Sequence, residues 1–554
     1  MAIVAFAMVI VRPFAEMPYG DDFAYAHVAL NLVRSGHLLY NGWDAAMLLS
    51  HAYWGALFIR LFGFSFACLR FSTMPFALGA VGLCYLLVRQ AGLKVQDATL
   101  VTLLFGLSPI FLPLSVSYMT DVPCLFFMFA SLYSLSKAAT SSEFRNYGWL
   151  ALGVATGFLG GTGRQVAWLV PLVLLPYLAW VKRRETTLLA VSLTAWILVL
   201  GGAVGITQWF NHQLYAVYQP SILSELKLVV KHPLGEVNIT ARLLLMLLLL
   251  CLPAALPLVV RASLDTWHGS RPRQIAVAVL FLGLISAILL YPSLASIPWI
   301  YSTLNWEGIN GSSPLPGRPI VLTAPVRALV AILVYAAACI LAGELLSIRD
   351  LTRRTLRLLL NPSNEEFALA ALSLFSVCYF VLIVIRAVDF AVFDRYLLPI
   401  LPWVATILLL WSQMEGRADR MLHRVIPFSW ALLGVLALYA IASTQDLWAL
   451  AQARVTAAKR LEAAGVPRTA IDAGFEYNGW TQLLVTGRMN SRWVVNPPGA
   501  YDPKLGQTPS VVPLYRLEYR PTPETAASQF GSVPYSSFLP PFHKQVSIDR
   551  ISVR

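Results

Sequence analysis

The sequence predicts an all-α polytopic membrane protein with a small C-terminal α/β domain outside the membrane. Of its 554 residues, 58% are hydrophobic and only 12% are charged, whereas soluble domains carry about 25% charged residues. Apolar runs near 20 residues recur along the chain, and this is the length that a membrane-spanning helix needs. The alternating ten-residue strands of a membrane β-barrel are absent.

We predict about thirteen transmembrane helices. They are expected near residues 1–16, 69–88, 98–116, 122–137, 148–163, 166–181, 187–206, 241–260, 275–291, 326–346, 367–386, 396–413 and 425–442. The first run is short but has no small-residue cleavage pattern before Asp21. We therefore interpret it as a helix rather than a signal peptide, and we expect its true start to lie upstream of this sequence.

The basic residues predict the orientation in the membrane. A net charge of +13 is compatible with nucleic-acid binding, but the Arg and Lys residues cluster in alternate short loops, which is typical of the cytoplasmic side. These residues are Arg89, Lys94, Lys137, Arg145, Lys182, Arg183, Arg184, Arg261, Arg271, Arg273, Arg349, Arg353, Arg354, Arg357, Arg417, Arg420 and Arg424. We expect a multi-pass protein of a bacterial inner membrane, with its N-terminus inside and the first loop, residues 17–68, outside.

The outer segments are expected to be structured. Residues 22–33 and 45–62 have the apolar spacing of helices that lie in the membrane interface. From Ser443 onward the charge rises and the apolar runs shorten. We therefore divide the chain into a transmembrane domain, residues 1–442, and an extracytoplasmic domain, residues 443–554, which begins with a helix near 445–464.

Asp21 and Asp22 directly follow the first apolar run, on the expected outer side. One interpretation is a helix N-cap, in which a carboxylate accepts an amide hydrogen bond. The other is a general base that activates a hydroxyl nucleophile. The two are compatible, and Tyr25, one turn after Asp21, is expected to help fix the carboxylate.

Asp121 and Arg164 are two further polar residues at expected outer ends of spans. Asp121, before Pro123, is either an N-cap or a second carboxylate that faces the same cavity. The fifth span of about 16 residues rises about 24 Å, less than the ~30 Å hydrocarbon core. Arg164 and Gln165 are therefore expected below the outer interface, where the Arg either snorkels to head groups or lines a polar cavity.

Arg395, followed by Tyr396, opens the twelfth span. It is either an interface anchor that pairs with Asp394 or a cation for a phosphate, which the guanidinium fork binds in a bidentate manner. Arg386, beside Asp389, is a further candidate. A cavity with charges of both signs suits a lipid phosphate with a polar head: a carboxylate would activate an acceptor hydroxyl, and arginines would hold the departing phosphate.

These motifs resemble those of the GT-C fold membrane glycosyltransferases, specifically the bacterial relatives of the protein O-mannosyltransferases and of the lipid A aminoarabinose transferase (glycosyltransferase family 39-like). The resembling stretches are DDFAY at 21–25, MTDVP at 119–123, GRQ at 163–165 and RYLLP at 395–399. The resemblance is firm over residues 15–185 and looser up to 442, and it does not extend into the C-terminal domain.

The resemblance implies a hexosyltransferase-class enzyme that moves one sugar, with inversion, from a polyprenyl-phosphate donor to an outer-leaflet acceptor. The acceptor would be a hydroxyl of a glycolipid, a polysaccharide or a protein. The family's base maps to Asp21 and its neighbour to Asp22, where the family usually has Glu. The carrier phosphate maps to Arg164 and Arg395, and the other substrate-binding candidates are Tyr25, Asp121, Gln165 and Tyr396.

Two other classes of function and a metal requirement stay open. The chain could be a transporter or flippase of a lipid-linked saccharide, although mid-span charges are scarce and no internal repeat is visible. The C-terminal domain could be a binding module on a membrane anchor, with residues 473–480 as either a sugar-stacking site or a plain aromatic core. Some relatives use a divalent cation, but the histidines His27, His37 and His51 and the six cysteines have no clear ligand spacing.

Overall fold

A computed structural model describes residues 1–141, 143–220, 222–231, 233–267, 271–290, 298–300, 302–347, 351–387, 392–413, 419–520 and 522–551. The fold is mostly helical. The helices are α1 Ala2–Ile10, α2 Asp22–Ser35, α3 Leu49–Phe62, α4 Phe66–Gln90, α5 Val95–Gly106, α6 Phe111–Ser115, α7 Asp121–Thr140, α8 Glu143–Gly163, α9 Leu169–Val181, α10 Thr186–Asn211, α11 Ile222–Lys231, α12 Pro233–Trp267, α13 Arg271–Leu290, α14 Ala324–Ser347, α15 Leu351–Leu360, α16 Phe367–Arg386, α17 Leu401–Gln413, α18 Asp419–Ala463 and α19 Phe475–Thr486. The strands are β1 Leu304–Asn305, β2 Gly308–Ile309, β3 Ile471–Asp472, β4 Tyr515–Glu518, β5 Thr525–Ser536 and β6 His543–Ile551.

Each predicted span contains helix, but the first, predicted at residues 1–16, is helical only over Ala2–Ile10. The third span is broken into α5 and α6, and the twelfth begins with a 3₁₀ turn, Asp394–Leu397, before α17. Within the described residues, seven helices are long and apolar enough to cross a membrane: Phe66–Gln90, Asp121–Thr140, Thr186–Asn211, Val237–Thr266, Ala324–Leu345, Phe367–Arg386 and Arg424–Ala463. The chain is therefore an integral membrane protein, as predicted, while the count of thirteen spans stays a prediction.

The first outer loop forms the two helices that its apolar spacing predicts. They are α2 and α3, and they pack against each other. Most side chains of α2 are buried, because α2 also packs against α19 of the C-terminal domain. The helices are thus part of the protein core, and their placement in the membrane interface stays a prediction.

The predicted outer loops contact one another. The amide of Gly42 donates to the carbonyl of Tyr215 (2.8 Å), and the hydroxyl of Ser302 donates to Asp394 (2.7 Å). The predicted inner ends meet separately, since Arg261 donates to the carbonyl of Trp411 (2.9 Å). Which of these two ends faces the cytoplasm stays a prediction.

Helix α18 joins the transmembrane and C-terminal parts without a break. It has 45 residues and is about 67 Å long at 1.5 Å per residue, against a ~30 Å hydrocarbon core. The predicted division between residues 442 and 443 therefore falls inside a helix, and the helix expected at 445–464 is the end of α18. Beyond it lies a four-stranded sheet in the order β3-β4-β6-β5, in which β3 is parallel to β4 and the other pairs are antiparallel.

A buried charge cluster fastens the C-terminal sheet to the helices. Asp446 of α18 accepts hydrogen bonds from Lys544 of β6 (2.7 Å) and from Arg318, which precedes α14. All three side chains are at most 1% exposed. A buried carboxylate between two cations ties three distant segments together, and its removal leaves both cations without their countercharge.

We expect Asp446→Asn to lower the free energy of unfolding by about 3 kcal/mol or more, because two buried cations lose their partner. Thermal unfolding in detergent, followed by tryptophan fluorescence, measures this change. The matched control is Glu366→Gln, which breaks the exposed Arg357–Glu366 pair (2.8 Å) and should have little effect. Equal midpoints for Asp446→Asn and the wild type would contradict the role of the cluster.

Candidate active site

The four charged residues singled out by the sequence at the outer ends of the spans come together. Arg395 Nη2 lies 3.4 Å from Asp21 Oδ2, and Arg395 Nε lies 3.7 Å from Asp121 Oδ1. Arg164 Nη1 lies 3.1 Å from Asp121 Oδ2. The side chains form a line of alternating sign, Asp21–Arg395–Asp121–Arg164, which we call the charge line. Its members come from four separate segments, which must therefore end on one side of the fold.

The charge line is most buried at Asp121, in its middle, and most open at Asp21. Asp21 is 26% exposed, whereas Asp121 is only 7% exposed. The side chains of Arg164 and Arg395 are 18% and 12% exposed. Coulomb interactions are stronger where water is excluded, so the inner charges hold each other in place. Asp21 is the carboxylate of this line that is most open to a substrate.

Asp21 is held by residues far from it in sequence, and not by its own helix. Its carboxylate accepts a hydrogen bond from Trp43 Nε1 (2.8 Å). Asp21 occupies the N-cap position of α2, but its side chain caps no amide, so the N-cap interpretation is wrong for Asp21. Within the described part of the chain Tyr25 makes no hydrogen bond to Asp21; its ring instead packs edge-on against His51 at 6.3 Å.

Asp22 points away from the charge line and is fully buried. Its oxygens accept hydrogen bonds from the amides of Tyr19 (2.7 Å) and Tyr118 (3.3 Å). Burial raises the pKa of Asp22 to about 7, and the charge of Arg70 and these two amides oppose the rise. The geometry supports a structural role for Asp22 and gives a substrate no access to it, so the expectation of a catalytic Asp22 is not supported.

Arg70 of α4 is a structural residue that the sequence reasoning missed. Its guanidinium is fully buried and donates to the carbonyls of Pro13 (3.2 Å), Ala15 (2.6 Å) and Met17. It also lies 4.1 Å above the ring of Trp448. Arg70 thereby fixes the segment that leads into Asp21. The sequence does contain a signal for this role, because Arg70 is a charged residue inside an apolar run. Burying such a charge costs free energy unless the residue has polar partners.

Asp121 and Arg164 form the end of the charge line that lies farthest from Asp21 along its sequence of contacts. The N-cap position of α7 is Thr120, and no side chain there caps the helix, so the N-cap interpretation of Asp121 is wrong. Arg164 turns inward, where it pairs with Asp121 and donates to Thr120 Oγ1 (2.9 Å). The snorkelling alternative is therefore wrong. Gln165 lies beside the line and donates to the carbonyl of Ala45 (3.2 Å).

Arg395 is available to the site because its neighbour has other partners. Asp394 accepts from the Ser302 hydroxyl (2.7 Å) and the amides of Thr303 (3.1 Å) and Leu304 (2.7 Å). The expected pairing of Arg395 with Asp394 is therefore wrong. The Tyr396 ring lies 5.6 Å from the Arg164 guanidinium and 5.9 Å from that of Arg395. The weaker candidate Arg386 instead pairs with Glu225 (2.7 Å), and Asp389 lies outside the described residues.

Asp44 is a further carboxyl group beside the charge line that the sequence reasoning missed. It is fully buried, and neither of its oxygens has a hydrogen-bond partner. Burial, together with the negative charge of Asp21, holds the pKa of Asp44 well above its usual range. These surroundings disfavour the charged form of the Asp44 carboxyl group.

His27 and His51 are buried residues of the first predicted outer loop. In the part of the chain that is described, no three His, Cys, Asp or Glu side chains are grouped as metal ligands. His51 is buried, its Nε2 lies 3.1 Å from the carbonyl of Tyr118, and burial lowers its pKa to about 4. Burial likewise lowers the pKa of His27 to about 4. Both are therefore neutral imidazoles that pack within the core.

Comparison with known proteins supports the resemblance seen in the motifs. The sequence profile of the family described as dolichyl-phosphate-mannose-protein mannosyltransferase matches residues 49–209. This match covers α3 to α10 and includes Asp121 and Arg164 of the charge line. It confirms the resemblance to GT-C membrane glycosyltransferases over these residues. No curated protein sequence matches the chain significantly.

Two solved structures are also similar to the chain. They are crystal structures of ArnT from Cupriavidus metallidurans, one in the apo state and one bound to undecaprenyl phosphate. The first is 14% identical, with a TM-score of 0.39, and the similarity covers 99% of this chain and 96% of that one. The second is 13% identical, with a TM-score of 0.40, covering 100% and 97%.

We expect the two adjacent aspartates to respond differently to the same substitution. Asp22→Asn should lower the free energy of unfolding by about 2 kcal/mol, because the asparagine side chain has a single acceptor oxygen and leaves one of the two buried backbone amides without its partner. Asp21→Asn should leave stability nearly unchanged, since Asp21 is partly exposed. Thermal unfolding of both purified variants measures the difference. Equal destabilisation by the two substitutions would contradict this division.

Proposed function

We propose that the chain is a membrane glycosyltransferase that transfers a sugar, with inversion, from a polyprenyl-phosphate donor to an acceptor hydroxyl. In this proposal Asp21 is the general base, and Arg164 and Arg395 hold the carrier phosphate. The reaction takes place on the extracytoplasmic face of the membrane, as the loop charges predict. The family match over residues 49–209 supports the class of reaction, and the charge line supports the roles of the residues.

The observation that carries the proposal is that Arg395 has unused N–H donors beside the partly exposed carboxylate of Asp21. A guanidinium has five N–H donors. Arg395 uses one of them in a long hydrogen bond to Asp21 (3.4 Å), and its buried Nε has no hydrogen-bond partner. Charge-assisted hydrogen bonds are usually about 2.7–2.9 Å long. The site is therefore suited to an additional anion, and a phosphate fits the guanidinium fork.

An incoming phosphate also changes the environment of Asp21. Arg395 lies between Asp21 and Asp121, so a phosphate that engages Arg395 competes with both carboxylates. When Arg395 shifts its donors to the phosphate, Asp21 is freed to accept a hydrogen bond from the acceptor hydroxyl. Trp43 still holds the other oxygen of Asp21 (2.8 Å). Donor binding would in this way prepare the base.

The positions of Asp21 and the two arginines suggest how the sugar is transferred. Asp21 takes the proton of the acceptor hydroxyl, whose oxygen attacks the anomeric carbon from the face opposite the phosphate. The bond between the anomeric carbon and the phosphate oxygen breaks, which inverts the configuration and releases polyprenyl phosphate. Arg164 and Arg395 stabilise the negative charge that grows on the leaving phosphate. No redox step is involved.

We expect Asp21→Asn to lower kcat by at least about 100-fold, because the amide cannot accept the proton. The assay follows release of polyprenyl phosphate from a polyprenyl-phosphate hexose in the presence of acceptor extract. The control is Asp265→Asn, the same chemical change at a half-exposed residue whose carboxylate lies 4.0 Å from Arg261. Wild-type turnover by Asp21→Asn would overturn the base assignment. Movement of the intact donor across a vesicle membrane without its consumption would favour a flippase instead.

We expect Arg395→Lys to raise the donor KM about tenfold or more, because an ammonium keeps the charge but loses the bidentate fork. The acceptor KM should change much less. Arg386→Lys is the matched control, since Arg386 pairs with Glu225 outside the charge line. Initial rates at varied donor concentrations measure the effect. An unchanged donor KM would remove Arg395 from the phosphate site.

A further inference from the structure

The loop that carries Trp43 is fastened by three different parts of the fold. The side-chain amide of Asn41 donates to the carbonyl of Ala24 in α2 (2.9 Å). The backbone amide of Gly42 donates to Tyr215 in the loop after α10 (2.8 Å), and the carbonyl of Asn41 accepts from Met489 beyond α19 (2.8 Å). Because all three contacts fall on residues 41 and 42, the position of Trp43 depends on all three parts.

Gly42 shows how closely the C-terminal domain approaches this loop. Its φ is +84°, a left-handed conformation that favours glycine. A Cβ at this position would lie 3.0 Å from the carbonyl oxygen of Met489 and 3.2 Å from Val494. The loop and the segment after α19 are therefore in direct backbone contact, with no room for a side chain.

The C-terminal domain also supplies the aromatic wall behind Trp43. The ring of Phe475, the first residue of α19, lies 5.3 Å from the ring of Trp43 and 5.4 Å from that of Phe23. Gly479, one turn later, lets Phe23 approach so closely that a Cβ would lie 2.6 Å from it. Phe475 thus packs on the tryptophan that donates to Asp21, and on the residue that follows Asp21 and Asp22.

We propose that Trp43 is a positioning residue for Asp21 and that Phe475 and Met489 of the C-terminal domain hold Trp43 in place. The C-terminal domain is then a part of the active site and not a separable binding module. This inference rests on the proposed function, because it assigns the Trp43–Asp21 hydrogen bond to the base of that reaction. In this proposal one carboxylate oxygen of Asp21 binds the acceptor hydroxyl, while the hydrogen bond from Trp43 to the other oxygen fixes the orientation of the carboxylate.

The burial of the aromatic stretch at 473–480 supports this positioning role over sugar stacking. Glu476 and Tyr477 are each 3% exposed, and Trp480 is 6% exposed. Trp480 stacks on Phe64 at 5.4 Å, which places the ring against the first outer loop. Side chains that are this buried are unable to stack on a sugar, whereas they are well placed to transmit the position of α19 to α2.

Trp43→Phe tests the hydrogen bond and keeps an aromatic ring on Phe475. We expect kcat to fall about tenfold, because a hydrogen bond to a charged group is lost, with the donor KM within twofold of the wild type. The acid limb of the pH–kcat profile should move to higher pH, since the carboxylate loses a donor that favours its charged form. Unchanged kcat and an unchanged pH profile would overturn the positioning role of Trp43.

Phe475→Ala tests the contribution of the C-terminal domain. We expect the same fall in kcat and the same shift of the acid limb, with substantial recovery in Phe475→Leu, which restores apolar contact. The control is Phe530→Ala in the same domain, whose ring packs on Tyr515 at 5.5 Å. Amide hydrogen exchange at Gly42 should quicken in Phe475→Ala but not in Phe530→Ala. Identical exchange and kcat in these two variants would contradict the coupling.

The two proposals fail in different ways. If the wild type consumes no polyprenyl-phosphate donor, the proposed function is wrong, and the hydrogen exchange at Gly42 still decides whether the C-terminal domain holds the loop. If the wild type is active but Trp43→Phe and Phe475→Ala match it in kcat and pH profile, only the positioning inference is overturned.

Discussion

The need to pair buried charges organises this fold. Asp121 is almost inaccessible to water, and a carboxylate in such a place requires cations close by. It finds two, Arg164 from the turn after α8 and Arg395 from the turn before α17. Arg395 in turn reaches Asp21. Because Asp121 contacts both Arg164 and Arg395, the segments that carry these three residues are held to one another by the same interactions that form the site.

The adjacent residues Asp21 and Asp22 have the same side chain but different surroundings, and these surroundings give them different roles. Asp22 is buried against two backbone amides and near Arg70, whose guanidinium also binds the chain that leads into the site. Asp21 is one residue away, yet it is partly exposed and bound by a tryptophan and an arginine. Asp22 therefore stabilises the turn before α2, whereas the carboxylate of Asp21 is accessible from outside that turn. Two adjacent acidic residues at this position can therefore have different roles, one in stability and one in the site.

Much of the architecture could be predicted from the sequence, because hydrophobic length and loop charge are local signals. The helices follow the apolar runs, and the alternation of basic loops predicted that Asp21, Asp121, Arg164 and Arg395 lie on one side. Local capping rules failed for Asp21 and Asp121, since tertiary partners took the side chains that a helix start would use. The expected Arg395–Asp394 pair failed for the same reason, because amides from residues 303 and 304 bind Asp394.

Trp43 and Phe475 could not be predicted as neighbours, because more than four hundred residues separate them in the chain and no short-range pattern encodes their contact. What brings them together is the packing of α19 against α2. The C-terminal residues follow directly on α18, a single helix of 45 residues that contains a candidate membrane span. The Asp446 cluster then fixes the sheet against the loop before α14. Because α19 packs against α2 and the amide of Met489 binds the loop that carries Trp43, the contact between Trp43 and Phe475 forms only when these distant segments have assembled.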